Sequence, residues 1–366
     1  MRELQAEDLS SFKNFVRVDP VMFNELVERL SPRIQKNDTW YRMSLVPGLR
    51  IAITLRHMAS GDSYKSLMYG FRVAHNTISK IVREVTDAII KEYGEEVMST
   101  PTTAAAWKQI AQKFGMRWNF HNTVGALDGK HVGIKCPKNG GSMYYNYKGF
   151  HSIVLMALVD ADYKFIWVEA GNNGSASDAQ VFNACELKAA FEDGSIGLPA
   201  PDCLPADDRP VPYFIIGDDA FALRTWLMKP FAKRNMNNEE RIFNYRLSRA
   251  RRIVENAFGI LANRFGCLLT KMKQSPKTVT DIVLACCCLH NIMRLRYPAA
   301  QNCLLDVEDE NHHVVPGAWR EGVNMHDMQS VAGANQATRA GKAQRLYMKH
   351  CFNSPAGSVP WQNNMI

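Results

Sequence analysis

The sequence predicts an α/β protein in which a helical N-terminal domain precedes a mixed α/β domain, and three observations lead there. The first hundred residues carry a helical apolar period broken by turn signals. Beyond about residue 124 the apolar runs become short and rich in Val, Ile and Phe between turn residues, and long helical patterns return only after these strands. The chain has 366 residues, room for two or three domains of about 100 to 200 residues each. With 46% apolar and 22% charged residues, the composition excludes wholesale disorder, collagen-like repeats and a coiled-coil rod. The longest apolar runs, such as Ser152 to Asp160, are short for a bilayer, and Met1 to Asp19 is too charged for a secretory signal. The chain therefore reads as soluble and intracellular. Its nine cysteines are odd in number, lack CxxC or His/Cys metal spacing, and place Cys286, Cys287 and Cys288 inside an apolar stretch, which predicts buried free thiols.

Taken in order, Val21 to Leu30, Pro47 to Met58, Tyr64 to Tyr69 and Asn76 to Tyr93 read as helices. The last three form a unit over about 46–93. The turn Ala59-Ser60-Gly61-Asp62-Ser63 separates its first two helices. Asn76 or Thr77 would cap the third, which keeps Ile78, Ile81, Val82 and Val85 on one face and turns Lys80, Arg83 and Glu84 away from it. That is the layout of a helix-turn-helix, and also of a small structural bundle. A helical link around Trp107 to Phe114 follows. Val124 to Ile134, Ser152 to Val159 and Lys164 to Gly171 then read as strands, the last two joined through Asp160-Ala161-Asp162. Ser177 to Ala190 is helical, Pro199 to Pro212 an exposed loop, Tyr213 to Ile216 a buried strand, and Asn244 to Phe265 and Thr278 to Arg296 long helices. Three antiparallel-type strands, then helix, strand and helix, are the opening of a ribonuclease H-like fold; a Rossmann fold would alternate from the start. The domains are thus 1–115, helical; 116–297, ribonuclease H-like; and 298–366, a polar, weakly periodic appendage expected to be partly disordered.

The net charge is +8, and its distribution is uneven. Val46 to Arg83 holds six bases against Asp62, Gly129 to His151 four lysines and no acid, and Lys229 to Lys277 twelve bases against Glu239, Glu240 and Glu255. Glu186 to Asp208 and Asp306 to Glu310 are acidic. Basic blocks of this kind suit a phosphate backbone, although each could also be a solvated helix face.

Three acids sit where packing alone would not put them. Asp128 interrupts the strand Gly125 to Val132, Asp218 follows the apolar strand Tyr213 to Ile216, and Glu255 lies off the buried stripe of Val254, Phe258, Leu261 and Phe265, beside Gly259 and Ala262, which are too small to shield it. Carboxylates from a first strand, a later strand and a distant helix match what two divalent ions need: hard oxygen ligands about a phosphate, with the ions about 3.5 to 4 Å apart. Taken singly, Asp128-Gly129 could be a turn, Asp218 or Asp219 a cap, and Glu255 a partner of Arg251. Asp160 and Asp162 read as hairpin residues, and Asp178 either caps a helix or approaches the metals.

The runs Leu127-Asp128-Gly129-Lys130-His131-Val132, Asn146-Tyr147-Lys148-Gly149-Phe150-His151-Ser152, Gly217-Asp218-Asp219-Ala220-Phe221, Phe243 to Arg252 with Glu255-Asn256-Ala257-Phe258-Gly259, and Cys287-Cys288-Leu289-His290-Asn291 closely resemble the PIF/Harbinger superfamily of DDE transposases and Harbinger-derived nucleases. The resemblance spans roughly residues 45 to 296. It implies that Asp128, Asp218 and Glu255 are the catalytic, metal-binding acids; the interval of 37 residues from Asp218 to Glu255 is the short one typical of such enzymes. It also implies magnesium or manganese, as two ions, with a metal-bound water cutting DNA at element ends and the freed 3′-hydroxyl attacking target DNA. The alternatives are a domesticated nuclease that no longer transposes, or a noncatalytic DNA-binding descendant. Further expectations are a nuclear location with a cytoplasmic pool, a Myb-like partner protein and a homodimer or higher oligomer. Lys65, Arg72, Lys80, Arg83, Lys130, Lys148, Arg246, Arg249, Arg251 and Arg252 are the expected DNA-binding residues, with Phe243 and Tyr245 placed either in the core or stacked on an unpaired base.

Overall fold

The computed structural model describes residues 2–40, 43–138, 140–297, 304–328 and 336–366. Before the first strand come α1 (Arg2–Glu7), α2 (Leu9–Val16), α3 (Pro20–Ile34), α4 (Pro47–Ser60), α5 (Tyr64–Phe71), α6 (His75–Val97) and α7 (Ala104–Trp118). Their ends follow local chemistry. Pro20 and Pro47 open α3 and α4 at positions where a missing N–H costs nothing. Gly61 closes α4 at φ 71°, a left-handed conformation that glycine adopts without penalty. Ser63 caps α5 through Ser66 N–H. The third helix of the unit starts earlier than expected: Ala74 stands at its N-cap with no side-chain bond, so neither Asn76 nor Thr77 is the cap. Its stripe of Ile78, Ile81, Val82, Val85 and Ile89 is buried, as the period requires.

The sheet contains β1 (Thr123–Gly133), β2 (Ser152–Val159) and β3 (Phe165–Asn173), then, past α8 (Asp178–Ala184), α9 (Glu186–Glu192) and a small hairpin of β4 (Asp202–Cys203) and β5 (Pro210–Val211), β6 (Phe214–Ile216) and β7 (Leu227–Met228). Strand order is β3-β2-β1-β6-β7; β2 runs antiparallel to its neighbours β1 and β3, while β6 and β7 run parallel to β1. This is the ribonuclease H-like arrangement. Asp160 and Asp162 lie in the β2–β3 turn, where Asp160 accepts from the N–H groups of Asp162 and Lys164. The expected single helix 177–190 is split at Cys185, whose backbone is extended. The expected exposed loop 199–212 carries β4 and β5 and anchors itself through Leu204 and Val211, both buried.

Two cores sandwich the sheet. One runs without a break from α2 through α6 to α10 (Asn238–Arg264) and α11 (Pro276–Arg296); the other joins Trp107 and Ala111 of α7 and Val181 and Phe182 of α8 to Val124 and Leu127. Thus α7, assigned by sequence to the N-terminal domain, packs on the catalytic sheet. By length and composition alone α11 could cross a bilayer, contrary to the expectation that every apolar run is too short. Here it is a core helix, with Cys286, Cys287, Cys288 and Leu289 fully buried.

The largest correction concerns the C-terminal region. Residues 298–303 and 329–335 lie outside the described residues, but β8 (Val307–Glu308), β9 (Val314–Val315), β10 (His326–Asp327) and α12 (Arg339–Asn353) are folded onto the catalytic domain. Trp319, Met325, Met328, Met348 and Phe352 are the buried anchors. They are large but irregularly spaced, so no period announces them.

Candidate active site

Two strands share one edge of β1 without meeting. Parallel β6 pairs with Thr123 to Ala126, and antiparallel β10 with Lys130 and His131. Asp128 falls in the gap, opposite Ala157 of β2 on the other edge. Side chains alternate along a strand, so Asp128 and Lys130 face α10, whereas Gly129 faces α8. On α10, Arg251 reaches both acids: its guanidinium lies 3.8 Å from Asp128 Oδ1 and 2.6 Å from Glu255 Oε1. The Arg251–Glu255 pair considered from sequence therefore exists, and it is part of the site. Asp218 leaves the end of β6 in a tight turn, its Oδ1 accepting from Ala220 N–H at 3.0 Å. Asp128, Asp218 and Glu255 all line one cleft of about 590 Å³, together with Asp178, Lys233, Arg251 and Asp327.

Asp178 is the residue that the sequence left between two roles, and the structure excludes the first of them. Ser177 and Gln180 form the capping box of α8, so the helix needs no second cap. Asp178 is 2% exposed, and its Oδ1 has no hydrogen-bond partner among the described residues. A Cβ on Gly129 would stand 2.3 Å from that oxygen, so only glycine leaves room for it. Burial, then the charges of Asp128 and Asp218, push the Asp178 carboxyl up to about 9. Burial and Asp128 raise Asp218 to about 6. Burial disfavours the charge of Lys130, but Asp128 and Asp327 outweigh it and hold the ammonium above the usual lysine range.

The donor chemistry fits a hard divalent cation: Asp128, Asp178, Asp218 and Glu255 offer carboxylate oxygens to the cleft, and Asp178 Oδ1 is buried without a hydrogen bond among the described residues. Among the described residues no three Asp, Glu, His or Cys side chains are gathered closely enough to hold an ion as they stand. Lys130, 3.0 Å from Asp128 Oδ2, and Arg251 lie among the acids and supply positive charge there. The C-terminal segment roofs the cleft. Trp319 packs on Gly259, and its Nε1–H donates to Asn256 Oδ1 at 2.7 Å. Arg320 holds buried Asp306 at 2.6 Å and approaches Glu255 at 3.9 Å. Gly259, expected to leave Glu255 unshielded, is thus covered.

Residues 127–291 match the family model described as DDE superfamily endonuclease. The HARBI1 proteins of Rattus norvegicus and Homo sapiens, named as candidate nucleases, are each 28% identical to the chain over 270 residues, covering 73% of it and 72% of their own length. An ALP1-like protein of Arabidopsis thaliana is 26% identical over 279 residues, covering 75% of this chain and 64% of its own. These matches make residues 127–291 similar to the DDE endonucleases and support a likeness of the chain to the PIF/Harbinger-derived nucleases. No solved structure matches it.

The expected DNA-binding residues of this Harbinger-like chain divide sharply. Lys65, Arg72, Lys80, Arg83 and Lys148 are exposed. Lys65 and Arg83 line a groove of about 950 Å³ with Lys271 and Lys273, two bases that the sequence reading did not single out for this surface. The loop that carries them continues the sheet, since Met272 exchanges hydrogen bonds with Gly133 and Lys135. Lys130, Arg246, Arg249 and Arg252 are not available to phosphates. Lys130 is committed to Asp128 and Asp327. Arg246, 3% exposed, donates to the carbonyls of Gly357 and Asn119 and lies over the Phe352 ring. Arg249 and Arg252 both bind Glu308. Phe243 is fully buried against Phe120, Phe231 and Phe352, so it is core and not a stacking platform.

Proposed function

We propose that the chain is a divalent-metal-dependent DNA endonuclease that cuts phosphodiester bonds at transposon ends and joins the freed 3′-hydroxyl to target DNA. The observation that carries the reading is the opening of Asp128, Asp218 and Glu255 into one cleft from β1, the end of parallel β6, and α10. In cleavage, a water oxygen bonds to phosphorus, the P–O3′ bond breaks, and the products are a 3′-hydroxyl and a 5′-phosphate. In joining, that 3′-hydroxyl oxygen attacks a target phosphorus and displaces another 3′-hydroxyl, so one phosphodiester replaces another and no energy source is needed. Magnesium or manganese, held by Asp128, Asp218 and Glu255, would supply polarisation of the phosphate and of the attacking oxygen. Arg251 within the cleft and Lys233 at its exposed rim offer fixed positive charge to the phosphate. Lys65, Arg72, Lys80, Arg83 and Lys148 would grip the duplex backbone, which positions DNA without reading its sequence. Sequence choice and nuclear entry would then fall partly to a separate Myb-like partner, with the chain acting as a homodimer or higher oligomer.

A second reading, cleavage without joining, is favoured by the HARBI1 relatives, whose names give nuclease alone. One assay covers both. Purified protein is incubated with end-labelled element-end duplex and a target plasmid in magnesium or manganese, alongside Asp128→Asn, Asp218→Asn and Glu255→Gln. Each substitution is expected to lower cleavage by about 100-fold or more, with folding and DNA retention kept. Full cleavage by a folded variant removes that residue from the site, and cut ends without joined product select the second reading.

A further inference from the structure

Asp178 does nothing that the fold requires of it. The capping of α8 belongs to Ser177 and Gln180, Lys130 is committed to Asp128 and Asp327, and Asp178 Oδ1 is buried with no hydrogen-bond partner among the described residues. A carboxyl group buried without a hydrogen bond is costly, and in a native fold it calls for an explanation such as an ion or a catalytic role. The fold keeps this one aimed into the cleft. Gly129 sits directly after Asp128, and its missing side chain leaves the 2.3 Å approach that Asp178 Oδ1 occupies. Met328 fills the other side of the same vacancy, 2.6 Å from the absent Cβ, and closes the pair off from solvent. The two acids therefore meet at the β1 edge from opposite faces of the sheet, Asp128 on the α10 side and Asp178 on the α8 side.

We infer that Asp178 is a fourth carboxylate ligand of the divalent cation in this cleft, admitted past Gly129. The inference rests on the endonuclease reading, and it adds to the triad a ligand from a fourth element, the first turn of α8. A fourth carboxylate makes the donor set more anionic and anchors one end of it in the buried part of the cleft, away from the Asp218 and Glu255 rim.

The test is a manganese titration of the full chain followed by the electron paramagnetic resonance signal of free Mn²⁺, with thermal unfolding measured with and without the ion. Asp178→Asn is expected to weaken manganese binding roughly tenfold or more and to shrink the manganese-induced rise in Tm. Its metal-free Tm should equal or exceed that of the unsubstituted chain, because an amide replaces a buried, unpartnered carboxyl. Gly129→Ala retains every carboxylate but places a methyl group on the path of Asp178, so it should weaken manganese binding in the same direction; it serves if Asp178→Asn fails to fold. If Asp178→Asn lowers the metal-free Tm while manganese affinity stays unchanged, the residue is structural and the inference is overturned. Binding lost in Asp128→Asn but kept in Asp178→Asn and Gly129→Ala defeats the inference alone. Equal absence of binding in the unsubstituted chain and in Asp128→Asn defeats the endonuclease reading along with it.

Discussion

The exposed face of α6 and the first half of α10 both carry basic residues, yet the fold uses them in opposite ways. On α6, Lys80 and Arg83 stand in solvent. On α10, Arg246 and Arg249 are 3% and 6% exposed, and Arg249 and Arg252 share Glu308. The difference comes from where the acids are. Glu308 lies 59 residues beyond Arg249 in sequence but against it in space, delivered by the C-terminal segment. Even within the block from Val46 to Arg83 two bases are spent: Arg50 is buried, pairs with Glu84 and donates to the Ile34 carbonyl, and Arg56 pairs with Asp62 at 3.4 Å. The arginines at the start of α10 are held by an acid of their own chain, whereas Lys80 and Arg83 of α6 are left exposed.

The most direct way to break this contrast is Arg249→Ala. Truncating one partner of a buried pair leaves the other poorly compensated, which costs about 3 to 5 kcal/mol. Glu308, with 12% of its side chain exposed, would keep Arg252 and the His312 ring. Urea unfolding should therefore report a loss of about 3 kcal/mol or more, while the salt dependence of DNA binding stays as it was. A small loss in stability with a flattened salt slope would mean that α10 holds DNA after all.

The same geometry explains what was legible in the sequence. Asp128, Asp218 and Glu255 are legible because the first interrupts an apolar strand, the second directly follows one and the third lies beside residues too small to shield it, and the helices and strands are legible because their periods are long enough to read. Asp178 was only half legible: its signals were the Ser177/Gln180 capping box, which frees it, and the glycine after Asp128, which admits it, and neither has meaning until α8 is seen against β1. The roof was not legible, since β10 is two residues long and Trp319, Met325 and Met328 follow no period. The fate of the α10 arginines hung on that roof, so reading the one wrongly meant reading the other wrongly.

A base buried without an acid sharpens the comparison further. His290 is fully buried, with Nε2 2.8 Å from the carbonyl of Tyr163 and Nδ1 unpartnered. Burial pushes it down from 6.5 to about 3. The unfolded chain thus takes up a proton below about 6.5 that the folded chain refuses until about 3, so acidification through this window draws the protein toward unfolding. The contribution is present above pH 6.5 and is lost progressively below it, by at most about 1.4 kcal/mol per pH unit. Asp178 and Asp218, raised in the fold, act in the opposite sense, so the test is a difference. The stability gap between the unsubstituted chain and His290→Gln should narrow as pH falls from 6.5 toward 4. A gap that is constant with pH would show that His290 does not titrate differently on unfolding.

The smallest effect on stability, and the clearest on binding, belongs to α6. Lys80 and Arg83 are exposed, and Arg83 makes a local bond from Nε to the Ser79 carbonyl, at 3.1 Å. Exposed side chains of this kind change stability by no more than about 0.5 kcal/mol when truncated. If they hold DNA, each phosphate contact removed should flatten the plot of log affinity against log salt by about 0.9. Lys80→Ala with Arg83→Ala is therefore expected to leave urea unfolding unchanged and to reduce the slope by nearly two units if each base holds one phosphate, the reverse of Arg249→Ala on both axes. The neighbouring pair Lys271→Ala and Lys273→Ala extends the measurement across the groove that Arg83 shares with them. A further flattening would trace the duplex from the helix-turn-helix unit toward the end of β1. An unchanged slope in the α6 variant would return α4, α5 and α6 to the plain structural bundle that their packing also permits.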